Sequence, residues 1–70
     1  MSEHMNITLN GKPKDLPAGT SLKTLVEQTA KNPAHVIAEM NGVIIERNRW
    51  DDTTIPEGAV IELVTFVGGG

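Results

Sequence analysis

The chain ends in three consecutive glycines, Gly68, Gly69 and Gly70, directly after its most hydrophobic stretch. Residues without a Cβ let a backbone thread a narrow channel. At about 3.5 Å per residue, three of them carry the terminal carboxylate roughly 10 Å past the element that precedes them. That carboxylate is the one group whose placement suits a reaction: unhindered, flexible and projected. A carboxylate is a poor acyl donor until its oxygen becomes a leaving group, which adenylation by ATP achieves. The glycines match neither G-x-x-x-x-G-K-[ST] nor G-x-G-x-x-G, so the chain has no phosphate cradle for doing this itself. It reads as something acted on by an enzyme elsewhere. The bland alternative is an inert or frayed end.

Other reactive side chains are sparse. His4 and His35 lie far apart without a spacing such as H-x₃-H, so no metal site is expected. Asp51-Asp52 are paired carboxylates in sequence, yet neighbours in a turn or strand point apart and nothing nearby activates them. Arg47 and Arg49 suit a solvated sheet edge or a partner contact, and Trp50 suits a packing lid over the open edge of a sheet. Cysteine is absent, which excludes a disulfide scaffold, a thiolate metal site and a Cys nucleophile. No bound cofactor is implied.

Seventy residues make one small domain, with loose ends expected at 1–4 and 68–70. Met5 is a candidate natural start, and the residues before it read as frayed or appended. A chain of this mass buries about 60% of its unfolded surface, enough for a single core. Charge is uneven: residues 1–35 carry +1 and residues 36–70 carry −4. Without a basic stripe or more than one Trp and one Phe, nucleic acid is a poor partner. No apolar run approaches the roughly 18 residues of a membrane span, and no leader pattern is present, so the cytoplasm is the default compartment.

The elements that would position the tail follow from periodicity. Met5, Ile7 and Leu9 alternate with Asn6, Thr8 and Asn10, the pattern of a half-buried strand. Asn10-Gly11 marks a tight hairpin, and a second strand over Lys12–Leu16 follows, with Pro13 indicating an edge. Thr20 or Ser21 caps a helix over 21–31, whose stripe is Leu22, Leu25, Val26 and Ala30, with Lys31 suited to its C-terminal dipole and Asn32-Pro33 as its stop. Val36–Met40, the Asn41-Gly42 turn and Val43–Ile45 form a second hairpin. Asn48–Asp52 read as a turn or short helical wrap, and Ala59–Val67 as the last strand. One helix after the first hairpin, packed on a mixed sheet of about five strands, is an α+β layout of the β-grasp (ubiquitin-like) kind. Fold alone licenses no function.

Several of these residues are familiar together. Met5-Asn-Ile-Thr-Leu-Asn-Gly11, Asn41-Gly42, Arg47 with Trp50, and Val60-Ile-Glu-Leu-Val-Thr-Phe-Val-Gly-Gly-Gly70 resemble the ThiS family of sulfur carriers over nearly the whole chain from Met5. The most specific element is the last strand running into terminal glycines. The resemblance implies a role in making the thiazole ring of thiamine. An E1-like, ThiF-type adenylyltransferase would activate Gly70 as an acyl-adenylate using ATP. A relay from cysteine desulfurase would convert it to a thiocarboxylate, and a ThiG-type thiazole synthase would consume the sulfur. Gly69 is the second member of the terminal pair, and Gly68 lengthens the tether beyond the two glycines of many relatives. Ala59 stands where relatives commonly carry Asp, read here as a turn-capping difference. Rival readings are the small subunit of molybdopterin synthase, which the short length and the Asn41–Trp50 segment disfavour, a ubiquitin-like protein modifier, and an interaction module with an inert tail.

Parity in the last strand sharpens the partner question. Ile61, Leu63 and Thr65 share one face; Val60, Glu62, Val64 and Phe66 share the other. With Ile61 and Leu63 towards the helix, Val64 and Phe66 form an exposed apolar patch beside the tail, a docking contact for the adenylating enzyme. The competing reading places Phe66 in the core.

Overall fold

Two Asn-Gly dipeptides set the frame. Asn10 and Gly11 take φ of 51° and 82°, and Asn41 and Gly42 take 53° and 83°. Consecutive left-handed residues make the tight turn whose twist matches paired strands. The first joins β1 (His4–Leu9) to β2 (Lys12–Pro17), and the second joins β3 (Val36–Met40) to β4 (Val43–Ile45). The computed structural model describes residues 3–66, so the glycine tail and Val67 lie outside the described residues.

Between the hairpins lies β5 (Val60–Thr65), giving the order β2-β1-β5-β3-β4. It runs parallel to β1 at Thr8–Val60 and Leu9–Ile61, and antiparallel to β3 from Val36–Thr65 to Met40–Ile61. Both sheet edges are blunted. One is β2, with Pro13 and Pro17 and three charged side chains; the other, β4, has only three residues.

The helix α1 (Leu22–Thr29) starts at Ser21, whose hydroxyl accepts the Thr24 N–H at 3.1 Å. Thr20 takes no part in the cap and donates its hydroxyl to the Pro17 carbonyl at 2.6 Å. The helix is shorter than the expected 21–31. Ala30 is already extended at φ −95°, ψ 136°, and Asn32 precedes Pro33, a position where helical backbone is disfavoured. Lys31 therefore falls beyond the last turn and does not serve its dipole. Pro33–His35 instead form a 3₁₀ turn that the periodicity did not indicate, with proline's fixed φ suiting its first position.

Leu22, Leu25 and Val26 pack on the inner sheet face of Met5, Ile7, Leu16, Val36, Ala38 and Ile61. Trp50, Ile55 and Ala59 complete the core. Burying each larger aliphatic side chain contributes about 1.5–3 kcal/mol. Ala59 is thus a core residue and not a turn cap, because its side chain points inward as the chain enters β5. Other boundaries differ too: β2 runs one residue further, to Pro17, and β5 ends at Thr65, short of Phe66. His4 already pairs with Pro17, so ordered pairing begins before Met5, and β5 begins at Val60 instead of Ala59. The result is the expected α+β architecture: a mixed five-stranded sheet with one helix on one face, arranged as a β-grasp roll.

Candidate functional site: the strand and sheet face that lead to the C-terminus

Both turn asparagines reach β5. The Asn41 N–H donates to the Val60 carbonyl at 2.7 Å, and its side-chain oxygen accepts the Val60 N–H at 2.9 Å. The Asn10 N–H donates to the Ile61 carbonyl at 2.9 Å, and its side-chain oxygen accepts the Leu63 N–H at 2.8 Å. Each turn therefore extends a ladder past the end of its own strand. Glu57, just ahead of β5, accepts the Asn6 N–H at 2.8 Å, and the Gly58 N–H donates to the Asn6 carbonyl at 2.8 Å. At the far end, the Phe66 N–H donates to the His35 carbonyl at 2.9 Å. The strand is held on both sides as far as Leu63 and by β3 as far as Thr65, and Phe66 just beyond it is still anchored.

Alternation gives β5 two unlike faces. Ile61 is buried and Leu63 packs against the core, while Val60, Val64 and Phe66 are 46%, 50% and 41% exposed. Phe66 lies outside the core and meets only one ring, that of His35, with centroids 5.6 Å apart. Ile37, the cross-strand partner of Val64, and Ile44 on β4 are exposed on the same sheet. Several exposed apolar side chains grouped on one sheet face make that face a candidate interaction surface.

The remaining sequence candidates scatter. His4 sits 3.2 Å from Asp15 on the surface, and His35 contacts Asn32 and Phe66. Among the described residues no three His, Asp or Glu side chains gather as metal ligands would. Asp51 and Asp52 are exposed in the turn after Trp50. Arg47 has an internal role: its guanidinium donates to the carbonyls of Pro33 at 3.1 Å and Ala34 at 2.9 Å, and stacks 5.1 Å from the Trp50 ring centroid. Trp50 is buried and its indole N–H donates to the Ile45 carbonyl at 2.9 Å, closing the β4 edge as a lid. Arg49 is exposed in the 3₁₀ turn Arg47–Arg49. A groove of about 450 Å³ beside α1 is lined by Lys23, Glu27, Arg47 and Trp50. Its arginine is already engaged with backbone. Sequence reasoning missed Asn10 and Asn41 as β5 anchors. Their Asn-Gly signal showed the turns, and nothing local shows where the side chains reach.

A mixed five-stranded sheet in the order β2-β1-β5-β3-β4 with one helix on its inner face defines a class: small proteins of the ubiquitin-like β-grasp fold. Within it, the ThiS family model matches residues 7–70, and the chain belongs to the ThiS family. The crystal structure of a thiamine biosynthesis protein (ThiS) from Geobacter metallireducens superposes with a TM-score of 0.80 at 34% identity, covering 94% of this chain and 100% of that one. A thiazole synthase of Magnetococcus marinus is 36% identical over 66 residues, which are 94% of this chain and 20% of that protein. The chain thus spans about a fifth of the length of the curated thiazole synthases it matches. An uncharacterized protein, ycf40, of Porphyra purpurea is 26% identical over 70 residues, with 99% of its length covered. Among the described residues no helix is long and apolar enough to cross a membrane.

Proposed function

We propose that this chain is a sulfur carrier of thiamine biosynthesis, not itself an enzyme, and that its working group is the Gly70 carboxylate. The carboxylate attacks the α-phosphorus of ATP in an E1-like, ThiF-type adenylyltransferase, releasing pyrophosphate and leaving an acyl-adenylate. The terminal sulfur of a persulfide from a cysteine desulfurase relay attacks the acyl carbon and displaces AMP. A thiol then cleaves the resulting acyl disulfide, becoming a disulfide itself and releasing the thiocarboxylate, which a ThiG-type thiazole synthase consumes. Gly69 and Gly68 supply the side-chain-free tether through these active sites, and Val64 with Phe66 provides the docking contact beside it. ATP belongs to the activating enzyme, and the setting is the cytoplasm. The observation that carries the reading is the family membership together with β5, a central strand paired with β1 at Val60 and Ile61 and with β3 as far as Thr65. The match to a segment of thiazole synthases supports such an enzyme as the sulfur acceptor.

The test is the intact mass after incubation with ATP, the adenylyltransferase and a sulfur source. The expected result is exchange of one C-terminal oxygen for sulfur, lost when Gly70 is deleted. A ladder of heavier conjugates in an ATP-supplemented lysate would overturn the proposal in favour of a protein modifier.

A further inference from the structure

The exposed sheet face is not uniformly apolar. The register sets Glu39 of β3 directly across from Glu62 of β5, and Glu39 also faces Ile44 of β4. One step along, Ile37 faces Val64, and two residues before Glu62 lies Val60. Two acidic side chains therefore sit side by side in the middle of an apolar surface. Like charges in direct cross-strand register destabilise a sheet, and Glu39 is half-buried, which reduces the water available to it. Among the described residues the one side-chain contact at ion-pair distance is His4 with Asp15, so neither glutamate has a cationic partner among them. An arrangement that weakens the free protein while keeping a partly exposed apolar surface calls for a group supplied from outside.

Charge decides which occupant fits. A second copy packed face to face would bring four carboxyl groups together among aliphatic side chains, so self-association is disfavoured. A wholly apolar partner would bury both glutamates unpaired, at a desolvation cost that its apolar contacts would have to exceed. An arginine meets both needs, because its planar fork donates to two carboxylates at once and its stem lies along aliphatic surface. We infer that this face docks a protein surface presenting an arginine between Glu39 and Glu62, ringed by apolar side chains that cover Ile37, Ile44, Val60 and Val64. This rests on the carrier reading for the identity of the partner, the adenylyltransferase that receives the tail. The glutamates then act as specificity determinants: they reject a second carrier and select the enzyme.

The experiment uses the full chain and the E1-like adenylyltransferase of the same organism, comparing wild type with Glu39→Gln, Glu62→Gln and the double variant. Thermal unfolding comes first, and the variants are expected to match or exceed wild type because a repulsion is removed. Affinity, measured by calorimetry across a salt series, is expected to fall about 30-fold or more in the double variant, with a shallower salt dependence. Wild-type affinity and salt slope in the double variant would overturn the inference, as would a wild-type chain that does not bind. The mass assay reads the carrier proposal separately. A wild type that binds with the expected glutamate dependence but gains no sulfur retains the docking surface and removes the carrier chemistry. One that gains sulfur with no effect of the glutamates does the reverse.

Discussion

Replacing Asn41 by alanine removes two separable contributions, and the structure gives a size for each. Asn41 sits at φ 53°, where an alanine costs about 1–2 kcal/mol because it lacks the short polar side chain that lets asparagine tolerate left-handed backbone. Its side-chain oxygen also accepts the Val60 N–H at 2.9 Å. That hydrogen bond is exposed, so water can replace part of it, and the lower end of the usual net value, about 0.5 kcal/mol, applies. Asn41→Ala is therefore expected to lose about 2 kcal/mol, equivalent to a fall of about 8–16 °C in a domain of this size. Asn41→Gly relieves the backbone strain and loses only the hydrogen bond, with a fall of about 2–4 °C. Asn41→Asp keeps an acceptor and tolerates the conformation, and stays within about 0.5 kcal/mol of wild type. Thermal unfolding by circular dichroism gives the stabilities, and amide hydrogen exchange at Val60 reports the bond directly. Protection there should drop in the glycine variant and persist in the aspartate variant. Equal losses for alanine and glycine would refute the strain argument, and unchanged Val60 protection in glycine would refute the anchoring role.

Leu25→Ala empties a fully buried site under the sheet and is expected to cost about 2–5 kcal/mol. Chains of this length have about 4–10 kcal/mol in total, so urea unfolding should show a variant near the limit of folding, and a loss below about 1 kcal/mol would contradict the packing described. Phe66→Ala is expected to lower stability by about 1 kcal/mol or less, since the ring lies outside the core. It should raise the KM for adenylation about tenfold. A large stability loss with unchanged KM would return Phe66 to a purely structural role.

Much of this molecule is legible before any coordinates. The alternation of Met5, Ile7 and Leu9, the stripe of Leu22, Leu25 and Val26, and the two Asn-Gly turns carry strong local signals, and each led to the element it indicated. Errors gather where local signals compete. Ala30 continues the apolar stripe, but Asn32-Pro33 forces extended backbone, so the stripe outlasts the helix. The same proline begins a 3₁₀ turn of three residues, too short to leave a period. Ala59 reads in sequence as a turn-capping difference because relatives commonly carry Asp there, and only its burial with the core cluster reveals a core position. The parity of β5 separated Ile61 from Val64 correctly. The Glu39–Glu62 pairing was beyond reach, since it depends on the register between strands distant in sequence. Likewise, Asn10 bonds Leu63 across 53 residues of chain.

The central position of β5 has a mechanical consequence. A strand at a sheet edge can be peeled away one hydrogen bond at a time when its end is pulled. Here the last strand lies between β1 and β3, so tension applied beyond Thr65 runs along the β3 ladder over its length and reaches the shorter β1 ladder at Val60 and Ile61 behind it. Bonds loaded in shear share the force and fail together, at higher load than bonds opened in sequence. Any enzyme that grips the end of this chain can draw it taut and let it go without unravelling the domain behind it.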